Sequence, residues 1–137
     1  METAGTIWDP LRKRDVALTP EEEVRQWFIG VLRDCLQVPE HLMMSEVQMR
    51  YGAARKLYRA DILIYDRDAA PLAVVECKRR EVSLSKEVLE QALRYDCALG
   101  VKYIFITNGT STIAARRTPQ GLEYLREAPV YSEMTKV

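Results

Sequence analysis

Apolar and polar positions follow a helical period near the start of the chain and a strand period later. Between residues 20 and 35 apolar residues recur every three or four positions, which predicts an amphipathic helix. Thr19 can serve as its N-cap, and Pro20 suits the first helical position because its φ angle is already helical. Glu22 falls at the third position of a capping box, and Pro39 is expected to end the helix.

Three strand-like segments follow this helix. From residue 44 to residue 51 apolar and polar residues alternate, as they do in a half-buried strand. The stretches 58–65 and 72–78 contain more apolar residues and predict two further strands. Residues 52–56 and 66–68 have the composition of turns, so the three strands are expected to form a meander.

A second helix is predicted after the third strand. Ser83 or Ser85 can act as its N-cap, and the apolar residues that follow recur at helical spacing. Gly100 is placed where a C-cap glycine would end this helix. The helix would connect the meander to the last predicted strands.

The final third of the chain predicts two strands and a loose end. Residues 101–107 read as a buried strand, and Asn108-Gly109 is a strong hairpin signal that leads into a strand at 111–115. Residues 118–137 are expected to be a loose C-terminal extension with a weak helix or turn around residues 122–125. The fold class is therefore a mixed α/β sheet flanked by helices, in a single domain over residues 1–137 with its core at about 8–117.

Charge and composition exclude several classes of function. The chain has twenty basic and twenty acidic residues among its 137, whereas general nucleic-acid binders usually carry a basic excess. Local basic clusters do occur, and those at 55–59 and 78–80 flank Asp61 and Lys78, where they could face phosphate or simply be solvated. No stretch has the length and hydropathy of a membrane span or a signal peptide, so we expect a cytoplasmic location without a membrane.

The cysteine and histidine residues predict neither a disulfide framework nor a zinc site. Three cysteines are widely spaced without a CxxC pair, so reduced thiols in or near the core are expected. The single histidine, His41, follows Pro39 in a predicted loop and is interpreted as a surface residue. Histidine-based catalysis is thereby excluded.

The most informative strand positions are three charged residues, Asp61, Glu76 and Lys78. Glu76 and Lys78 are two residues apart and would point to one face at the end of an apolar strand, where unpaired charges are costly. If the second and third strands are neighbours, Asp61 and Glu76 can converge on one divalent cation, with the backbone carbonyl of Cys77 as a further ligand. Lys78 would then assist hydrolysis of a phosphodiester. The structural alternative is a strand-end salt bridge with Asp61 as a turn-proximal polar residue.

Two further positions could add to such a site. Gln91 and Tyr95 are one helical turn apart, and both can hydrogen-bond a phosphate, a water or a carboxylate. Their alternative role is the polar flank of an amphipathic helix. Glu22 could supply an additional metal-binding carboxylate, although the capping box already accounts for it.

These residues together resemble the N-terminal nuclease domain family of type I restriction enzyme R proteins, within the PD-(D/E)xK superfamily. The match extends from about Trp8 to about Ala115, and its order and spacing are more specific than any single motif. It comprises residues 18–26 (LTPEEEVRQ), 59–62 (RADI), 75–78 (VECK), 91–95 (QALRY) and 107–109 (TNG).

The resemblance implies a restriction-endonuclease-like sheet and magnesium-dependent hydrolysis of DNA, with Mn²⁺ able to replace Mg²⁺. Asp61 and Glu76 correspond to the metal-binding acids of the family and Lys78 to its catalytic lysine. Gln91 and Tyr95 match the QxxxY motif of this branch. Glu22 matches the first-helix acid that often joins the metal site.

The sequence departs from full-length R proteins in lacking a motor. It has no phosphate-binding Gly-x4-Gly-Lys-Ser/Thr motif, so ATP-driven activity is not carried over. We therefore expect a DNA endonuclease domain. Formation of a homodimer, or association with restriction–modification subunits, would strengthen its binding to DNA. The alternative is a non-catalytic module for nucleic-acid binding or subunit assembly on the same fold.

Overall fold

The computed structural model describes residues 5–51, 53–91 and 100–136, which build a six-stranded sheet with helices on both faces. Neighbours in the sheet follow the order of the chain, and among these described strands only the pair β5–β6 is parallel. The fold class predicted from the sequence is confirmed. The strands of this sheet are β3 (Met43–Tyr51), β4 (Lys56–Tyr65), β5 (Pro71–Cys77), β6 (Tyr103–Thr107), β7 (Thr112–Thr118) and β8 (Gly121–Leu125).

An antiparallel hairpin precedes the sheet and was not predicted. It consists of β1 (Thr6–Asp9) and β2 (Arg14–Ala17), and helix α1 (Pro20–Asp34) follows it directly. As predicted, Thr19 caps α1, since its Oγ1 accepts a hydrogen bond from the N–H of Glu22 at 3.1 Å. The helix ends at Asp34, before the predicted end at Pro39.

Helix α1 covers one face of the sheet through its apolar stripe. We call this packing the α1-side cluster, and it joins the helix to the inward residues of β4, β5 and β6. Burial of these side chains is the main source of stability for this face. Its central members are Val24, Phe28, Ile29, Leu32, Ile62, Ile64, Val75 and Phe105.

On the opposite face, Leu84 and Leu89 from the segment that connects β5 to β6 pack against the sheet. Residues 86–91 are helical (α2), and Ser85 caps them by accepting a hydrogen bond from the N–H of Val88 at 3.4 Å. Residues 92–99 of the predicted helix lie outside the described residues. We call the packing on this face the α2-side cluster; it includes Leu84, Leu89, Tyr58, Ala60, Leu63, Val74, Ile104 and Ile106.

Strand β4 changes face at Asp61. Ala60 belongs to the α2-side cluster and Ile62 to the α1-side cluster, although residues two apart in a regular strand share a face. The opposing position of β3 is Glu46, whose φ of 54° is in the left-handed region, while the strand pairs on both sides keep the same register. At Asp61 the regular alternation of side chains between the two faces of the sheet is therefore interrupted.

The C-terminal residues are anchored, so the expectation of a loose extension is wrong. Residues 122–125 belong to a strand and not to the expected helix or turn, because they pair with β7. Strand β8 pairs with β7, and a short helix α3 (Tyr131–Met134) places Tyr131 and Met134 in the α1-side cluster. The hydroxyl of Tyr131 donates a hydrogen bond to the carbonyl of Tyr65 at 2.9 Å, and its N–H donates to Leu36 at 2.7 Å. The last residues therefore stabilise the back of the sheet.

The expectation of thiols in or near the core is confirmed for Cys77 and wrong for Cys35, which lies at the exposed end of α1. Cys35 and Cys77 are free thiols, the first exposed and the second buried, and Cys97 lies outside the described residues. His41 is exposed in a short 3₁₀ turn (Glu40–Leu42). In the described ranges no helix is long and apolar enough to cross a membrane.

Candidate active site

The candidate site lies where β4 and β5 part. The last pair recorded between these strands is Ile62 with Val75, and the next residues along are Asp61 and Glu76. The carboxylate of Asp61 extends to the backbone of β5, where its Oδ2 accepts a hydrogen bond from the N–H of Cys77 at 2.6 Å. The face inversion at Asp61 therefore brings a carboxylate to a position that a strand carbonyl would otherwise occupy.

Burial makes the charge on Asp61 costly. It raises the pKa of Asp61 from 3.8 to about 6, and the neighbouring charge of Glu76 adds to this increase. The N–H of Cys77 opposes the increase, as do the positive charges of Arg25 and Lys78. At neutral pH this pocket therefore holds a carboxylate that a further positive charge would stabilise.

Glu76 and Lys78 form an ion pair at the open end of β5. The Nζ of Lys78 lies 3.1 Å from Oε1 of Glu76, and the hydroxyl of Tyr58 donates to Oε2 at 2.9 Å. The side chain of Glu76 is 17% exposed and that of Lys78 is 33% exposed, so solvent reaches both. The salt bridge expected as the structural alternative is thus present, and it also holds the ammonium beside the two acids.

The thiol of Cys77 stays out of this chemistry. Burial, followed by the charge of Asp61, raises the pKa of the Cys77 thiol well above its usual value. A neutral, buried thiol is a poor ligand for a hard cation. The thiol of Cys77 is therefore not expected to bind such a cation, and the role of its backbone carbonyl stays a prediction.

Glu22 does not complete the capping box. Its N–H bonds to Thr19, but the N–H of Thr19 donates to the carbonyl of Ala17 at 3.1 Å instead of to the Glu22 carboxylate. That carboxylate accepts hydrogen bonds from Arg12 at 2.5 Å and from Gln26 at 3.1 Å. The reciprocal half of the capping box is a wrong prediction, because Arg12 in the unpredicted β1–β2 turn provides a charged partner.

A buried arginine connects this network to Asp61. Arg25 is 6% exposed, and its guanidinium forms ion pairs of 3.3 Å with Glu22 and with Glu46. Among the residues that the structure describes, its buried Nε and Nη1 find no hydrogen-bond partner. The positive charge lowers the pKa of Asp61, so Arg25 partly compensates the acids. The sequence did not predict this role for Arg25; the available signal was a charged residue directly beside Val24 in the apolar stripe of α1.

The structure brings together three of the predicted site residues, namely Asp61, Glu76 and Lys78. Gln91 lies at the end of the described part of α2 and is exposed, and Tyr95 lies outside the described residues. In the described part of the chain no cluster of three or more acidic, cysteine or histidine side chains could hold a metal ion. Glu22 is accordingly held by arginine rather than grouped with Asp61 and Glu76.

Two comparisons of the sequence identify relatives among restriction enzymes. Residues 20–129 match the model of the family described as type I restriction enzyme R protein N terminus. A segment of 67 residues is 34% identical to the type I restriction enzyme EcoAI endonuclease subunit of Escherichia coli, covering 49% of this chain and 8% of that subunit. The chain therefore spans a small part of the length of this relative.

Solved structures share the fold. A fragment of a candidate HsdR subunit of a type I restriction enzyme from Vibrio vulnificus aligns with a TM-score of 0.64 and 22% identity over 85% of this chain and 24% of that chain. A candidate nuclease of the DUF820 group from Anabaena variabilis aligns with a TM-score of 0.54 and 12% identity over 96% and 84%. The DrdV–DNA complex gives a TM-score of 0.54 and 17% identity over 82% and 10%.

The range matched by the family model includes the strands that carry Asp61 and Glu76. The family model covers most of the chain, from the start of α1 to the segment after β8. This chain belongs to the family described as type I restriction enzyme R protein N terminus.

Proposed function

We propose that this domain is a magnesium-dependent endonuclease that hydrolyses phosphodiester bonds of DNA. The observation that carries the proposal is the meeting of Asp61, Glu76 and Lys78 at the open ends of two neighbouring strands. Its relatives support DNA as the substrate, because one is an endonuclease subunit and another was captured in a DNA complex.

The donor set suits a hard divalent cation. Asp61 and Glu76 supply carboxylate oxygens, and the raised pKa of Asp61 reflects a negative charge that burial leaves undercompensated. The N–H of Cys77 points to Asp61, and the carbonyl of a strand residue leaves the same edge as its N–H, so this carbonyl is expected nearby. Two carboxylates and one carbonyl match Mg²⁺, which usually retains several waters.

Each side chain has a distinct task in the proposed reaction. A bound Mg²⁺ would polarise the scissile phosphate and make an attacking water more acidic. The ammonium of Lys78, held 3.1 Å from Glu76, would stabilise the negative charge that develops on the phosphate oxygens. Tyr58 fixes the Glu76 carboxylate through its 2.9 Å hydrogen bond. The water oxygen would bond to phosphorus as the bond to the sugar oxygen breaks, and the proton released by the water would pass through solvent to that departing oxygen.

Binding of DNA by this domain should depend strongly on salt. The chain is neutral overall and offers few phosphate contacts, so affinity for the duplex relies on local basic residues. We propose that a second copy or other restriction–modification subunits add the remaining contacts. Activity measurements therefore belong at low ionic strength.

Cleavage of supercoiled plasmid in Mg²⁺ at low salt tests the proposal. The parent chain should nick or linearise the plasmid, and Asp61→Asn and Lys78→Ala should each lower the rate by about 100-fold or more. Asp68→Asn and Lys136→Ala are matched controls, because they remove the same kinds of charge from exposed positions. Both controls should cleave at the parent rate.

If the parent, Asp61→Asn and Lys78→Ala all cleave the plasmid at the same trace rate, the proposed endonuclease function is refuted. That result would leave the alternative of a binding or assembly module on the same fold. Calorimetric titration with Mn²⁺ separates the readings without any DNA, since the proposal requires binding that Asp61→Asn abolishes and Asp68→Asn retains.

A further inference from the structure

Asn108 is a buried polar residue that neither the proposed cation nor the proposed reaction uses. It lies in the turn between β6 and β7 and is 6% exposed. Its Oδ1 accepts hydrogen bonds from the N–H groups of Thr110 at 2.9 Å and Ser111 at 2.7 Å, which close the turn. Its Nδ2 donates a hydrogen bond of 2.8 Å to the carbonyl of Val82, which lies far away in the sequence.

The bond to Val82 anchors the segment that carries Lys78. Residues 78–82 leave the end of β5, and the N–H of Lys78 donates to the carbonyl of Thr107 at 2.8 Å. One end of this short segment is therefore held by Thr107 and the other by the adjacent Asn108. Between them the N–H of Val82 bonds to Arg79 at 3.0 Å, so the segment is a closed turn with two fixed ends.

Gly109 provides a third contact and explains the small residue in the turn. Its carbonyl accepts a hydrogen bond of 3.3 Å from Nη1 of Arg80. Its φ of 87° is left-handed, and a Cβ placed on it would lie 3.3 Å from both Arg80 and Val24. Residues 107–109 thus each form a hydrogen bond with the segment 78–82.

We propose that Asn108 is a positioning residue for Lys78. A lysine side chain has four rotatable bonds, so the direction of its ammonium depends on where the backbone places its Cα atom. The amide of Asn108 fixes the path of the backbone on the far side of Lys78, and the carbonyl of Thr107 fixes the near side. This role rests on the proposed nuclease function, in which Lys78 acts on the phosphate.

Asn108→Asp separates the two roles of this side chain. The carboxylate keeps an acceptor for the N–H groups of Thr110 and Ser111 but cannot donate to Val82. Asn108→Ser is the second variant, because its neutral hydroxyl can close the turn and is too short to reach the Val82 carbonyl. Thr110→Ala is the matched control, since its exposed side chain is replaced and its N–H remains.

Plasmid cleavage and hydrogen exchange test the proposal together. In the folded variants kcat should fall by about 10- to 100-fold with an unchanged KM for DNA, because Lys78 is misdirected while DNA contacts persist. In the metal-free Asn108 variants, amide hydrogen exchange of residues 78–85 should be faster than in the parent, whereas exchange of residues 103–107 should be unchanged. In Thr110→Ala, exchange of both segments should match that of the parent.

The two readouts distinguish failure of this inference from failure of the nuclease function. Parent cleavage with equal kcat in Asn108→Ser would overturn the positioning role and leave the nuclease intact. If the parent does not cleave at all, the nuclease function fails, and unchanged exchange of residues 78–85 then overturns the anchoring by Asn108 as well.

Discussion

The carboxylate of Asp61 completes the backbone hydrogen bonding of β5 through its 2.6 Å contact with the N–H of Cys77. The same carboxylate is destabilised by its burial, which raises its pKa to about 6. The Asp61 carboxylate therefore stabilises the sheet through its hydrogen bond, whereas its buried negative charge destabilises the folded protein. Substitutions that keep the acceptor and remove the charge separate these two effects.

Asp61→Asn should stabilise the metal-free protein at neutral pH. Folding raises the pKa of Asp61 from 3.8 to about 6, so the folded chain binds this proton more tightly than the unfolded chain. The contribution of Asp61 to stability is therefore present below pH 3.8 and is lost as the pH rises to about 6. We expect Asp61→Asn to gain ~1–3 kcal/mol over the parent across this window.

Urea denaturation of both proteins at several pH values measures this difference. Other titrating groups cancel when the free energy of unfolding of the parent is subtracted at each pH. Asp68→Asn, in the exposed turn after β4, should show no such trend. A difference that is constant between pH 4 and pH 7 would contradict the raised pKa.

Mg²⁺ or Mn²⁺ should raise the melting temperature of the parent at neutral pH and leave that of Asp61→Asn unchanged. A cation that binds only the folded chain at about ten times its dissociation constant contributes about 1.4 kcal/mol. For a domain of this size that corresponds to a few degrees, on the order of 3–5 °C. Differential scanning fluorimetry detects such a change, and equal increases in both proteins would place the cation elsewhere.

Arg25→Met should destabilise the fold much more than Arg33→Met. Arg25 is buried and forms ion pairs with Glu22 and Glu46, whereas the Arg33 side chain is 42% exposed in the same helix. Loss of one buried partner typically costs ~3–5 kcal/mol, and Arg12 remains to compensate Glu22, so we expect ~2–3 kcal/mol. An exposed pair contributes below ~1 kcal/mol. Equal midpoints in urea for the two variants would exclude a structural role for the buried network.

Met134→Ala should also lower stability, by ~2–4 kcal/mol, because it leaves a cavity in the α1-side cluster. Lys136→Ala, two residues later and largely exposed, should have little effect. Chemical denaturation of the two variants compares them directly. A C-terminal segment that did not contribute to the core would give the same midpoint for both.

Local patterns predicted most of the sheet and the centre of the candidate site. Alternating and apolar stretches located β3 to β6 to within a few residues, since burial of one or both faces imposes those patterns. The spacing of Glu76 and Lys78 placed them together at the end of β5, and the structure confirms that they are in contact. The assignment of roles to Gln91 and Tyr95 stays a prediction.

Features that depend on distant partners could not be predicted in this way. Strands β1 and β8 are short and largely exposed, so their pairing leaves little hydrophobic pattern. The capping-box pattern predicted that the Glu22 carboxylate would bind the N–H of Thr19, but in the structure Arg12 from the preceding hairpin binds this carboxylate. The left-handed backbone at Glu46 and the resulting inversion at Asp61 likewise arise only when β3 and β4 pair.

The parallel pairing of β5 with β6 sets an order in which the site can be assembled. Strands β4 and β5 are joined by a short turn and can pair as soon as both have emerged from the ribosome, which brings Asp61 to Cys77. The contact of Lys78 with Thr107 requires closure of the whole 78–102 segment, a step that is intrinsically slower. We therefore expect the two acids to meet early during synthesis, whereas the backbone of Lys78 is fixed only after β6 has joined the sheet.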